Sequence, residues 1–212
     1  MKSRNGETPY KVSLHGRIVR TATKLFHTHG IKSVKMDDIA NALTISKRTI
    51  YEIFETKELL LEEVVRVHDE SHSDMLKSVV AGGGDVMDVI IAFYRSFVLE
   101  IAEVSPQFFE DLGKYPRITG RMYDSREQRR NEADAFLMRG VQEGYFRPDI
   151  NLAILHEITD AFSSHVISTS LYKEYSMKEI FRNLLIIVFR GMCTEKGLKR
   201  LDILLEEAFD DA

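Results

Sequence analysis

The chain has 212 residues, 44% hydrophobic, 29% charged and 9% aromatic, with a net charge of -4 from 29 Lys+Arg against 33 Asp+Glu. That length is enough for one large or two small domains, and the charge taken whole gives no sign of a nucleic-acid partner. A single cysteine, Cys193, excludes a disulfide framework and a zinc site of paired thiolates, and the longest apolar run, Leu184 to Phe189, is far short of the roughly 20 residues that span a bilayer.

The N-terminal stretch MKSRNGETPYKVS lacks the apolar segment of a signal peptide, so a soluble cytoplasmic protein with no membrane partner is expected. Helical spacing runs through nearly the whole chain, strand-like alternation is absent, and the predicted class is all-α. Ile18, Ala22, Leu25 and Phe26 form the apolar stripe of a first helix that Gly30 closes. Met36, Ile39, Ala40 and Leu43 mark a short second helix, and Ser46 caps a third with Ile50, Ile53 and Phe54 inward. Thr56, with Glu58 in the first turn, opens a long helix through Leu60, Leu61, Val64, Val67 and Leu76, ending at Gly82 to Gly84.

Asp85 then caps a helix bearing Val89, Ile90, Phe93, Phe97 and Ile101. Ser105 and Pro106 start another, and Pro116 forces a break. A long segment from Ile118 through Met122, Tyr123, Phe136 and Val141 ends at Gly144. Two strongly apolar helices follow, one through Leu155, Ile158, Phe162, His165 and Val166, the other opening on a Ser176 to Glu179 capping box. A last helix after Thr194 carries Leu198, Leu201, Leu204 and Leu205, giving about ten helices without repeats.

Two short helices joined by a turn between Gly30 and Lys57 have the layout of a helix-turn-helix. Helices this short survive only by packing, so the first helix is expected as the third wall of a trihelical unit. With Ile50 and Phe54 inward, Lys47, Arg48 and Tyr51 face outward on a helix whose diameter suits the DNA major groove, where Arg and Lys can donate to guanine O6 and N7.

The stretch GIKSVKMDDIANALTISKRTIYEIFETK, Gly30 to Lys57, resembles the DNA-binding motif of the TetR family of transcriptional regulators. Leu25-Phe26 and Gly30, Ile39-Ala40, Ser46-Lys47, Thr49-Ile50-Tyr51, Phe54 and Lys57 carry the likeness. It implies a helix-turn-helix domain over residues 1–57, with a recognition helix at about 46–54, and a helical effector-binding and dimerisation domain over 58–212. It implies a DNA-binding set of Lys35, Ser46, Lys47, Arg48, Thr49, Tyr51 and Lys57, with Lys47 to Thr49 at base edges, Tyr51 at a phosphate or thymine methyl, and Lys57 on the DNA backbone. The sequence departs from the family at Thr44, where glycine is usual. A β-branched residue is a poor candidate for a left-handed conformation, so a different turn is expected. Ile53 stands where Tyr or His is frequent, and Glu52 and Glu55 bring negative charge near the phosphates.

Charge by region agrees with DNA binding. Residues 1–60 hold 11 Lys+Arg and 6 Asp+Glu, a balance of +5, whereas residues 61–212 hold 18 and 27, a balance of -9. Lys2, Arg4 and Lys11 could add a basic arm along the duplex. The helix from Ile180 to Phe189 is apolar on almost all sides and needs two coverings. Packed with its predecessor against their symmetry mates, through about 152–171 and 177–190, it would form a four-helix homodimer interface, as the resemblance also implies. A central helix in a monomeric core is the alternative. A palindromic operator requires two recognition helices about 34–36 Å apart, which favours the dimer.

In the middle helices, Phe93, Phe97, Tyr123, Phe136 and Phe162, with His165 on an apolar face, would line a pocket for a small apolar or aromatic effector if the resemblance holds. Without it, aromatics at this spacing read as core. His68 and His72 stand at i, i+4, but the intervening residues suggest a solvated helix, so no metal and no other cofactor is expected. No nucleophilic or di-iron constellation is present, so no catalytic residue is assigned. An all-α enzyme, or a helical interaction module whose helix-turn-helix no longer binds DNA, remains the rival to a repressor released by its effector.

Overall fold

A computed structural model describes residues 9–118 and 126–210. Lys2, Arg4, Met122 and Tyr123 lie outside the described residues, as does the side chain of Lys11. The described residues form ten α-helices: α1 (Pro9–His29), α2 (Met36–Ala42), α3 (Lys47–Ile53), α4 (Lys57–Ala81), α5 (Val86–Ala102), α6 (Pro106–Leu112), α7 (Arg126–Gln142), α8 (Leu152–Ser168), α9 (Met177–Met192) and α10 (Glu195–Asp210). A 3-10 turn at Leu171–Lys173 lies between α8 and α9. Among the described residues no helix is long and apolar enough to cross a membrane. The protein is all-α, and its described residues fall into two compact units, one drawn from Met1–Glu70 and Val104–Thr119, the other from Ser71–Glu103 and Gly120–Ala212.

In the first unit α1 buries Leu14, Ile18, Ala22 and Phe26, successive positions of one stripe, against Ile39 and Ala40 of α2 and Ile50 of α3. Gly30 ends α1 at φ +81°, its amide donating to Phe26 O at 2.9 Å. The left-handed backbone there is one that side chains avoid. Asp38 Oδ2 accepts from the Lys35 amide at 2.7 Å and so ties down the start of α2. α6, distant in sequence, belongs to this unit and packs on α1.

The turn between α2 and α3 corrects the expectation for Thr44, which does adopt the left-handed conformation, at φ +55°. The chain ends α2 with the Ile45 amide donating to Ala40 O and the Thr44 amide to Asn41 O, both at 3.0 Å, the paired bonds of a Schellman closure. Ile45 packs against the core just beyond. Satisfied end carbonyls and that burial hold a β-branched residue where glycine is the relaxed choice.

The second unit is organised on α5, which packs against α7, α9 and α10. Val86, Met87, Ile90, Ile91 and Tyr94 of α5 meet Leu137, Phe146, Met192, Leu201, Leu204 and Leu205 in its core. Asp85 caps α5 by accepting from the amides of Met87 and Asp88, each at 2.9 Å, and takes a further bond from the Tyr145 hydroxyl at 2.9 Å. The Ser176 capping box forms as expected, with Glu179 N on Ser176 Oγ at 3.2 Å and Ser176 N on Glu179 Oε2 at 3.0 Å. Pro116 not only follows the end of α6 but opens a new helical turn at 116–118, where its missing N–H leaves no bond unmade. Cys193, buried at the end of α9, has its thiol pushed up to about 11 by burial.

Thr44→Gly is expected to raise the free energy of unfolding by about 1 kcal/mol, the strain of a left-handed β-branched residue, as read from urea denaturation. An unchanged or lower midpoint contradicts this account of the turn.

Candidate nucleic-acid interface

α3 presents its outer face because its inner face is fully used. Ile50 and Phe54 are buried in the first unit, and Ile53, where a polar aromatic was the family's habit, packs on the same core. Ser46 sets the start of the helix, its Oγ accepting from Thr49 N at 3.0 Å and lying 2.8 Å from Thr49 Oγ1. Lys47, Arg48 and Tyr51 are left exposed, with Thr49 half-buried between them. Lys35, also exposed, stands at the start of α2.

Both cations at the head of α3 already have acidic partners. Lys47 Nζ lies 2.8 Å from Asp37 Oδ2 and 5.9 Å from the centre of the Tyr51 ring. Arg48 Nε donates to Glu52 Oε1 at 2.8 Å. The hydrogen bond to Asp37, then its charge, holds the Lys47 ammonium above the usual lysine range, and Glu52 does the same for Arg48. Exposed pairs of this kind are screened by water and contribute little to stability, so phosphate or a guanine edge can replace the carboxylate. Glu52, expected to repel phosphate, instead neutralises Arg48.

Lys57 is placed differently from the rest of the expected set. Its ammonium is half-buried and donates to Ile31 O at 2.9 Å and Val34 O at 3.0 Å, carbonyls of the loop between α1 and α2. Burial lowers its pKa, opposed by the charges of Asp111 and Asp38. Sequence reasoning missed Asp111 altogether. This carboxylate on α6 is 1% exposed and accepts from Lys32 N at 2.7 Å, Gln107 Nε2 at 3.1 Å and Lys114 Nζ at 3.3 Å. Burial pushes its pKa up, and the three donors outweigh that and hold it below the usual range. The amide it receives is 79 positions away, and no local spacing announces such a pairing.

In the second unit, Phe93 and Phe97 stack at 5.2 Å, and Phe97 meets Phe181 of α9 edge-on at 4.9 Å and His72 at 6.3 Å. Phe136 stands apart from these, 6.0 Å from Phe146 in the core. Phe162 is half-buried. His165 is exposed in the last turn of α8, two turns on from the exposed Ile158, and its carbonyl accepts from Thr169 Oγ1 at 2.7 Å. Of the two histidines at i, i+4, His68 Nδ1 lies 3.8 Å from Asp69, and His72 Nε2 is 2.9 Å from Glu100 Oε2.

The sequence profile of the bacterial regulatory proteins, tetR family, matches residues 18–64, which run from the buried stripe of α1 into α4. The chain is similar to the HTH-type transcriptional repressor KstR2 of Mycolicibacterium smegmatis, 23% identical over 206 residues, 91% of this chain and 98% of the relative. In fold it resembles the ketosteroid transcriptional regulator KstR2 of Mycobacterium tuberculosis, with TM-score 0.55, 19% identity and coverage of 90% and 98% of the two chains. It likewise resembles the fatty acid degradation regulator FadR from Bacillus halodurans, with TM-score 0.63, 17% identity and coverage of 88% and 98%.

Asp37→Asn is expected to move the titration of the Lys47 ammonium to lower pH, followed by NMR of the lysine side-chain nitrogens. A titration indistinguishable from that of the parent contradicts the pairing.

Proposed function

We propose that this chain, which belongs to the TetR family of transcriptional regulators, is a repressor that binds a palindromic operator as a homodimer and is released by a small apolar or aromatic effector. Members of the family are non-enzymatic DNA-binding regulators, and the all-α enzyme weighed from the sequence gives way to that. The observation that carries the proposal is the head of α3: a Ser46-capped helix, backed by Ile50, with Lys47, Arg48 and Tyr51 exposed side by side. Lys47 and Arg48 would exchange Asp37 and Glu52 for base edges or phosphates, with Thr49 beside them at the base edges and Ser46 and Lys35 at the flanking backbone.

Homodimerisation through α8 and α9 is supported by apolar side chains that the single chain leaves in water. Ile187 of α9 is 70% exposed, and Ile154 and Ile158, one turn apart on α8, are exposed too. Covering such a stripe with its symmetry copy is the ordinary route to a two-fold assembly.

For the effector, the cluster of Phe93, Phe97 and Phe181, with Tyr123, Phe136 and Phe162 as further candidates, favours an apolar or aromatic molecule. The names of the two structural neighbours, a ketosteroid regulator and a fatty acid degradation regulator, point to the same chemistry. An effector that prefers a dimer with the wrong separation of recognition helices lowers DNA affinity by its coupling energy, about 1–3 kcal/mol.

The double variant Lys47→Ala, Arg48→Ala is expected to lose sequence-specific binding in a gel shift while keeping the parent's helical circular dichroism and oligomeric state. Retained specific binding by a folded double variant overturns the docking of α3.

A further inference from the structure

The loop Gly30–Lys35 is the chain's only covalent connection from α1 to the pair α2–α3, and two charged side chains from elsewhere address its backbone with opposite polarity. Lys57, at the start of α4, donates to the carbonyls of Ile31 and Val34 at 2.9 and 3.0 Å. Asp111, on α6, accepts from the amide of Lys32 at 2.7 Å, and Gln107 and Lys114 hold its other oxygen. A loop whose carbonyls and amide are taken by an ammonium and a buried carboxylate has little freedom to turn.

Close packing reinforces this. A Cβ on Gly30 would stand 2.5 Å from Gln107 Cγ and 3.0 Å from Asp111 Oδ2, so α6 is seated directly against the start of the loop. The Ser105 amide, just before α6, donates to His27 O at 2.8 Å, and Phe108 meets the His27 ring edge-on at 4.9 Å. α6 is thereby stapled to the end of α1 as well as to the loop that follows it.

We propose that Lys57 and Asp111 are positioning residues of the reading head: together they clamp the Gly30–Lys35 loop, fix the register in which α3 meets DNA, and neither touches the duplex. This rests on the DNA-binding reading above and differs from the family resemblance, which puts Lys57 on the DNA backbone. An ammonium spent on two loop carbonyls orients the motif, whereas one on a phosphate would add a counterion-releasing contact, and the two roles leave different signatures in salt.

The test uses the full chain, a duplex that the parent protein selects from a random-sequence pool, and a mixed-sequence duplex of the same length. Lys57→Met and Asp111→Asn are each expected to lower affinity for the selected duplex about tenfold or more, the cost of a misplaced base contact. Each keeps the parent's affinity for the mixed duplex and the parent's slope of log K against log salt. A slope shallower by about 0.9 in Lys57→Met assigns that residue a phosphate and overturns the clamp. Parent-like affinity for the selected duplex in either variant also overturns it. If Asp111→Asn falls short of the parent's helical circular dichroism, Gln107→Ala, which keeps the carboxylate and removes one donor, takes its place. A selective loss on the selected duplex then supports the clamp, and a parent-like ratio of the two affinities overturns it. A parent that selects no sequence at all fails the reading under Proposed function, a result distinct from variants that match a selective parent.

Discussion

Two seven-residue helices cannot stand in water on their own hydrogen bonds, and the first unit is built around that weakness. α2 and α3 persist because Ile39, Ala40 and Ile50 are buried against Ile18, Ala22 and Phe26 of α1. The positions that must point inward are thereby set, and the outward ones follow from the helical period. Lys47, Arg48 and Tyr51 are exposed because Ile50 and Phe54 cannot be. The capping hydroxyl of Ser46, the left-handed Gly30 and Thr44, and the bonds to the Gly30–Lys35 loop all serve one end: they leave the short helices a single way to pack.

Charge adds a second layer to the same design. The N-terminal +5 and the -9 of the remaining chain make the reading head the place where a polyanion is welcome. Within that head the cations of α3 are paired with Asp37 and Glu52 on its exposed surface. Both pairs are exposed, and water screening lets a stronger anion take the carboxylate's place. Asp111 differs in being withdrawn from bulk water, and Lys57 in being half-buried, where an unmade bond costs more than at the surface.

Much of this was legible from sequence because it is local. Gly30, Ser46, Asp85 and the Ser176 box are short-range devices whose residue types name their geometry, and the structure places them where the pattern does. Thr44 was misread because propensity argues against a left-handed threonine, while the closing bonds to Ala40 and Asn41 and the burial of Ile45 decide the turn. Asp111 was invisible for a different reason: its partner amide lies on another element, and a buried carboxylate has no sequence signature apart from the donors that surround it. The inward turn of the Lys57 ammonium is likewise a tertiary fact, since at a helix start lysine reads equally well as a phosphate contact.

If the exposed head of α3 reads sequence, the protein must discriminate between duplexes of equal length and charge. The most direct measurement is fluorescence anisotropy of the unmodified protein with duplexes tiled across the DNA flanking its own gene, at one stated salt concentration. One palindromic segment is expected to bind at least about a thousandfold more tightly than mixed-sequence DNA, with two protomers per site. Equal affinity for every tile, or a stoichiometry of one protomer on the tightest, would contradict it.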